Sequence, residues 1–300
     1  MTAPSGLVIV DKPAGLTSHG VVARIRRLAG TRRVGHAGTL DPMATGVRVT
    51  GVQKATRLLG HLALTDKEYS ATIRLGQATD SGDADGQIVS SVTSTSTVAG
   101  RAAAELTAGE VTEALAAFTG EIQQVPPGIS AVKVGGKRAY QLTRSGTPPQ
   151  LAARTVTVRE IAVADVRPAG DLLDVDVNVT CSSGTYIRAI ARDVGTALGV
   201  GGHLTALRRT RVGPDTAADA RTLDELAESF EVIPLAEAAA AVFPRRDLTA
   251  DEAAKLAHGG RLPAVGRDSG PVAAFSPDGI LVALLTEEQG EARSLAVFLP

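Results

Sequence analysis

Residues 172–179 read Leu-Leu-Asp-Val-Asp-Val-Asn-Val. This apolar–polar alternation suits a strand with one face buried. Val156-Thr-Val158 alternates in the same way, at a distance that suits a hairpin. Tyr69 to Leu75 is a further strand, and Gly6-Leu-Val-Ile-Val10 is a short apolar one stopped by the Asp11–Gly15 turn. Helical spacing lies between these strands. Val21, Val22, Ile25 and Leu28 follow a Thr17-Ser18 cap, residues 110–118 repeat the pattern, and Ile187, Ile190, Ala191, Val194 and Leu198 share one face. The interleaving predicts a mixed α/β (α+β) domain around a largely antiparallel central sheet. Near residue 240 the texture changes. A short helix within 247–258 and three strands joined by Pro277-Asp-Gly279 and Gln289-Gly290 turns predict a small β-rich module. The expected domains are therefore 1–240 and 241–300. Residues 79–100, rich in Ser, Thr, Asp and Gly, show no period, and poor order is expected across 79–109.

Charge is distributed unevenly. The formal net charge of the 300 residues is -1, which gives no global signal for nucleic acid. Yet Arg24, Arg26, Arg27, Arg32 and Arg33 cluster without an acid in 21–40, as do Arg208, Arg209 and Arg211 in 203–213. Six acids against Arg221 alone, in 214–232, hide these patches in the total. Cys181 is the single cysteine and the five histidines show no paired ligand spacing, so neither a disulfide nor a metal site is expected. No phosphate loop, dinucleotide fingerprint or nucleophile elbow is present, so no cofactor is expected. The N-terminus has no signal-peptide pattern and no apolar run reaches membrane-spanning length; a cytoplasmic protein without membrane contact is expected.

The segment Arg32-Arg33-Val34-Gly35-His36-Ala37-Gly38-Thr39-Leu40-Asp41-Pro42 sets one carboxylate in a loop shaped by glycines and a proline. Read alone, Asp41 is as well explained by a turn cap as by catalysis. Aromatic content is only 3%, and each tyrosine (Tyr69, Tyr140, Tyr186) lies near basic residues. Basic grooves with interspersed aromatics suit unstacked RNA bases.

Residues 35–46, Gly-His-Ala-Gly-Thr-Leu-Asp-Pro-Met-Ala-Thr-Gly, resemble the signature loop of the TruB family of tRNA pseudouridine synthases. The ordered segments Val10–Gly15 with Thr17-Ser-His19, Lys54–Leu58, Lys67-Glu-Tyr69, Gln124–Pro127, Ser130–Tyr140, Ser183–Arg188 and His203–Thr210 extend the resemblance over about 6–213. It implies the pseudouridine synthase fold, with a PUA-like RNA-binding module at the C-terminus. It also implies isomerisation of uridine 55 in the T-arm of tRNA by base flipping, without cofactor, metal or guide RNA, by a monomer. Asp41 would initiate glycosidic cleavage, whether by attacking carbon or by taking a sugar proton. Arg188 would pair with Asp41 and keep it ionised. Tyr69 would stack on the extruded base, with proton removal from C5 as a second role open to it. Tyr186 and Leu207 would wall the pocket, and His36 would hold flipped-out nucleotides. Lys12, Thr39, Lys133, Arg138 and Arg208 complete the expected substrate contacts, and Arg32 and Arg33 become candidates for phosphate. Residues 120–145 resemble a mobile thumb.

Three departures stand out: Gly20 replaces a usual acid, and Arg48 and Thr50 replace apolar residues in the strand after Asp41. A guanidinium at 48 must reach solvent or find a partner. The rival readings are a non-catalytic RNA-binding protein or tRNA-folding chaperone, a carboxylate hydrolase, for which no second acid is evident, and a guide-RNA-dependent relative, whose basic extension is absent here.

Overall fold

The computed structural model describes residues 4–91, 102–130, 132–145, 147, 149–266 and 270–299, without the side chains of Lys137, Arg138, Tyr140 and Arg144. Its main strands are β1 (Gly6–Lys12), β2 (Thr45–Val52), β3 (Lys67–Leu75), β4 (Gly120–Gln124), β5 (Arg154–Ala169), β6 (Leu172–Cys181) and β7 (Gly202–Val212). They form a sheet in the order β1-β2-β7-β3-β6-β5-β4. Every neighbouring pair in this order is antiparallel except β2 and β7. These two run parallel, in register only at Arg208–Thr45 and Arg209–Gly46. The sheet is thus antiparallel, as its alternation predicts, with one short parallel seam at its centre.

Strand periodicity distributes the core. In β3, Tyr69, Ala71, Ile73 and Leu75 turn to one side and meet Val175, Val177, Val179 and Cys181 of β6. The helix α3 (Ile187–Ala197), with α2 (Ala108–Ala116) preceding it in the chain, covers that face through Ile187, Ile190 and Val194, and through Val111 and Leu115. In β1 both faces are buried. Leu7 and Ile9 enter one cluster, and Val8 and Val10 enter another with Val21, Val22 and Ile25 of α1 (Ser18–Leu28). That explains why β1 is a continuous apolar run.

The C-terminal module holds β8 (Arg245–Asp247), β9 (Val272–Phe275), β10 (Leu281–Glu288) and β11 (Glu291–Val297). It does not stand apart from the main domain. Phe275, Leu281, Leu284 and Phe298 share one apolar cluster with Leu7, Ile9, Val47 and Val49, bridged by Ala238 and Ala239 of the helix α4 (Leu235–Val242). A boundary near 240 therefore falls inside a packed interface.

The expectation of poor order at 79–109 is corrected for the described part. Residues 77–79 and 88–91 pair as a short hairpin. Ser81 and Asp83 are buried, and Leu204 of β7 donates its N–H to the Gly82 carbonyl. A Cβ on Gly86 would stand 2.2 Å from Ser81 Oγ, so this turn closes only with glycine. Composition marked the segment as a loop but could not show that it was pinned. Thr107 and Glu110 then form a capping box that starts α2. The Ser/Thr-rich stretch 92–101 lies outside the described residues.

Candidate active site

The parallel seam opens a cavity of about 220 Å³ over the middle of the sheet, with Asp41 at its edge. It is smaller than the ~300 Å³ at which drug-sized ligand pockets begin, a size for one base rather than a chain of them. Thr39, Asp41, Tyr69, Tyr186, Arg188 and Leu207, drawn from four separate stretches of sequence, all line it. Lys67, Ser130 and Arg209 line it too. The seam requires Gly46 twice over. Its φ is +95°, and a Cβ there would stand 2.2 Å from the Arg209 carbonyl oxygen.

Arg188 is the electrostatic centre. It sits in the first turn of α3 and only 3% of its side chain is exposed. Its Nη2 donates to Asp41 Oδ1 at 3.0 Å, and Nε stands 2.9 Å from Oδ2 as an ion-pair contact without hydrogen-bond geometry. Nη1 donates to the Ser81 carbonyl at 2.7 Å and Nη2 to that of Ile129 at 2.9 Å. Asp83 Oδ2 stands 3.5 Å from Nη1. Asp83 is itself fixed by Ser81 Oγ at 2.5 Å and the Asp85 N–H at 3.2 Å. One buried arginine is thus shared by two carboxylates and two carbonyls. Asp83 was missed from the sequence because it lies in the segment read as an unordered excursion.

Burial, with the neighbouring Asp83, pushes the Asp41 carboxyl above its ordinary value, against the downward pull of Arg188 and Lys12. Tyr69 is buried and its phenol is pushed up by desolvation, opposed chiefly by the charge of Arg209. Tyr186 is pushed up in the same way. Its backbone is clamped by the buried Gln124, which accepts from Tyr186 N–H at 2.7 Å and donates to its carbonyl at 3.1 Å.

Several expected substrate contacts fall elsewhere. Lys12 is wholly buried and cannot touch RNA in this conformation. Its Nζ donates to the carbonyls of Pro13, Pro42 and Ala44, beneath the Asp41 loop. Burial and the charge of Arg48 lower it to about 8. Arg208 points away from the cavity and makes a bidentate pair with Asp11 at 2.9 and 2.8 Å. Its charge is already matched. His36 lies outside the cavity in a neighbouring groove, 5.8 Å from the ring of His19. Lys133 is exposed on a two-residue strand paired with Lys137–Arg138. The Arg138 side chain is outside the described residues. Arg48 reaches no solvent. It donates to the Gly38 carbonyl and leaves Nε and Nη2 without partners.

Comparison with known proteins decides the family. The model of the N-terminal domain of TruB family pseudouridylate synthases matches residues 26–187, more than half of the chain. The chain belongs to the TruB family. The C-terminal domain model of tRNA pseudouridylate synthase B matches 188–239, and that of tRNA pseudouridine synthase II matches 243–299. The protein called tRNA pseudouridine synthase B in Thermobifida fusca (strain YX) is 58% identical over 297 residues, covering 98% of each chain. Its namesake in Arthrobacter sp. (strain FB24) is 56% identical over 306 residues, covering 99% of this chain and 97% of the other. Among solved structures, one chain of a Cbf5-Nop10-Gar1 complex is 28% identical, with a TM-score of 0.71 over 98% of this chain and 84% of its own. A chain of the archaeal box H/ACA sRNP Nop10-Cbf5 complex is 25% identical, with a TM-score of 0.72 over 100% of this TruB chain and 88% of its own. No helix among the described residues is long and apolar enough to cross a membrane.

Proposed function

We propose that this chain isomerises uridine 55 in the T-arm of tRNA to pseudouridine, acting as a monomer without cofactor or guide RNA. The observation that carries the reading is the Asp41–Arg188 pair at the edge of a one-base cavity walled by Tyr69 and Leu207. The names of relatives identical at 56–58% over nearly their whole length support the substrate.

The chemistry follows from the geometry. A stacked uridine hides its glycosidic bond, so the nucleotide must leave the stack to enter the cavity. Tyr69 offers the base a flat face and Leu207 an apolar one. Asp41, oriented by Arg188, opens the C1′–N1 bond. The uracil turns within the cavity and rejoins C1′ through C5. The C5 proton then leaves and N1 gains one, so atoms balance without an external reactant. Tyr69 is a neutral phenol below its raised pKa, which suits stacking better than service as a ready base. Lys133 and the thumb-like residues 120–145 are read as closing over the RNA, and residues 241–300 as a PUA-like RNA-binding module. The cytoplasm is the compartment in which this substrate is met.

The test is the purified protein on an unmodified T-arm stem-loop, with no added cofactor. Pseudouridine is expected from the wild type. Asp41→Asn should abolish product while RNA affinity stays within about threefold, since the amide keeps the side chain's shape and loses its charge. Undiminished turnover by Asp41→Asn would refute the mechanism. RNA binding by the wild type without turnover would favour the chaperone reading.

A further inference from the structure

The catalytic cavity carries more positive charge than its one carboxylate balances. Asp41 is the single acid on its walls, against Lys67, Arg188 and Arg209. Arg188 is already matched by Asp41 and Asp83. Arg209 forms no ion pair with a carboxylate among the described residues. Only 1% of it is exposed, its Nε donates to the Val47 carbonyl at 2.8 Å, and its Nη2 has no acceptor. Lys67 is also buried without a carboxylate partner there; its Nζ donates to the carbonyls of Ala63 and Thr65 at 2.9 and 2.6 Å. Arg48 shares this isolation but lines no part of the cavity. A molecule seated in the cavity therefore meets Arg209, a fully buried guanidinium with a donor to spare.

Strand register puts Arg209 beside the base. Side chains alternate along β7, so Arg209 shares a face with Leu207, two residues earlier, which walls the cavity. Across the sheet it stands in register with Tyr69 of β3. Side chains so opposed have Cβ atoms about 5 Å apart, which sets the guanidinium next to the ring that offers the base its flat face. The backbone of Arg209 is fixed at the parallel seam, in register with Gly46. Above the side chain runs the turn that leads to Asp41: a Cβ on Gly38 would stand 3.5 Å from Arg209 Nη1 and 3.6 Å from Lys67 Cε.

The reaction supplies a charge for it to meet. Whether Asp41 attacks C1′ or takes the C2′ proton, the C1′–N1 bond breaks with its electron pair going to the base. The detached uracil is an anion, its charge shared among N1, O2 and O4. C5 then bonds to C1′, freeing the Asp41 carboxylate or returning its proton to C2′, and transfer of a proton from C5 to N1 completes the product. Between the two bond changes the cavity holds a negative base. Donors fixed in place beforehand, out of water, stabilise such developing charge most strongly. We propose that Arg209, seconded by Lys67, is a further catalytic residue, which stabilises the negative charge on the detached uracil through a ring carbonyl oxygen. The proposal rests on the reading of the chain as a tRNA pseudouridine synthase.

The experiment measures single-turnover rates at saturating T-arm stem-loop, with uridine or 5-fluorouridine at the target position, for wild type, Arg209→Met and Arg209→Lys. Fluorine makes the base a better leaving group, and loss of the N1-linked nucleotide is followed on both substrates. Arg209→Met removes the charge and keeps an unbranched chain. On uridine it should be about 10²–10³-fold slower, the cost of one such donor, with stem-loop affinity within threefold of wild type. On 5-fluorouridine the deficit should shrink at least tenfold, because a base that bears charge well needs less help. Arg209→Lys keeps the charge without the planar fork; it should lose less on uridine, and its deficit should also shrink on 5-fluorouridine. Thermal unfolding checks the fold, and if Arg209→Met does not fold, Arg209→Lys carries the comparison. An equal deficit on both substrates would make Arg209 merely structural, and weaker binding at an unchanged rate would make it a phosphate contact; either overturns the proposal. A wild type that makes no pseudouridine at all would instead refute the catalytic reading, which this comparison keeps separate.

Discussion

Arg48→Leu should make this protein more stable. Arg48 has no exposed surface, and its strand neighbours Val47 and Val49 are equally buried and apolar. Its guanidinium has one partner, the Gly38 carbonyl, while Nε and Nη2 have none. No carboxylate pairs with it among the described residues, and the adjacent Arg209 repels it. Burial and that repulsion push it down to about 9, the mark of a charge its surroundings do not compensate. Taking an ion out of water costs several kcal/mol even after relaxation. Each orphaned donor adds about 1–3 kcal/mol. On the other side stands one charge-assisted hydrogen bond, worth roughly 1.5–3 kcal/mol, whose loss also leaves the Gly38 carbonyl unpaired. Replacing buried ionic groups with packed apolar ones typically stabilises by about 1–4 kcal/mol, and the same range is expected here. Urea unfolding at pH 7 measures it: the midpoint should rise with the slope unchanged. Arg48→Lys, which keeps the charge and loses the planar fork, should not stabilise. A lower midpoint for Arg48→Leu at unchanged slope would show that the tie to Gly38 outweighs the cost of the buried charge.

Two further outcomes follow from the same contacts. Asp83→Asn removes a charge that pushes Asp41 up, so Asp41 should titrate lower and the acid limb of kcat/KM should move to lower pH. Maximal kcat should nevertheless fall about tenfold, some 1.4 kcal/mol, because Arg188 loses a brace; an unmoved limb would refute the coupling. Gln124→Leu strips both hydrogen bonds from the Tyr186 backbone inside the protein and should cost about 2–6 kcal/mol, at about 1–3 for each orphaned group. Unchanged thermal unfolding would show that water replaces the clamp.

Much of this was legible in the sequence where burial follows period. The alternation of 69–75 and 172–179 and the helical spacing of 186–198 gave elements within a residue or two of their observed ends. Reading failed where charge interrupts the pattern. Strand β5 runs 16 residues, but only Val156–Val158 was visible, because register shifts at 158–160 and 163–165 break the alternation beyond. Strand β7 was hidden by Arg208, Arg209 and Arg211, although Arg209 is fully buried and donates to the Val47 carbonyl at 2.8 Å. A fully buried arginine inverts the hydropathy on which the reading depends. Within the site, Thr39, Asp41, Tyr69, Tyr186, Arg188 and Leu207 were named from the family's motifs, whereas Lys67, Ser130 and Arg209, which also line the cavity, were not. Those that work from behind it could not be placed: Asp83 lies in a polar loop, and Lys12, read as an RNA contact, turns inward.

That inward turn explains why the segments Val10–His19 and 35–46 belong together. Within the Asp41 loop one bond closes the turn, from the Ala44 N–H to the Asp41 carbonyl at 3.2 Å, and Arg48 holds the Gly38 carbonyl from the following strand. The other bonds come from the earlier segment. Ser18 Oγ donates to the Leu40 carbonyl at 2.9 Å and accepts the Leu40 N–H at 3.1 Å. Gly15 N–H donates to the Pro42 carbonyl at 2.8 Å, and Lys12 Nζ reaches the carbonyls of Pro42 and Ala44. Residues 40, 42 and 44 are tied from below, and Asp41, between them, is left facing the cavity. Holding the reacting group in place before substrate arrives is where such a site gains rate. Ser18→Ala would release Leu40 on both sides in a buried setting, at roughly 1–3 kcal/mol for each orphaned group. Because Ser18 lines no part of the cavity, KM for the stem-loop should stay within twofold while kcat falls at least tenfold. A rise in KM at constant kcat would mean that the earlier segment serves RNA binding rather than the placement of Asp41.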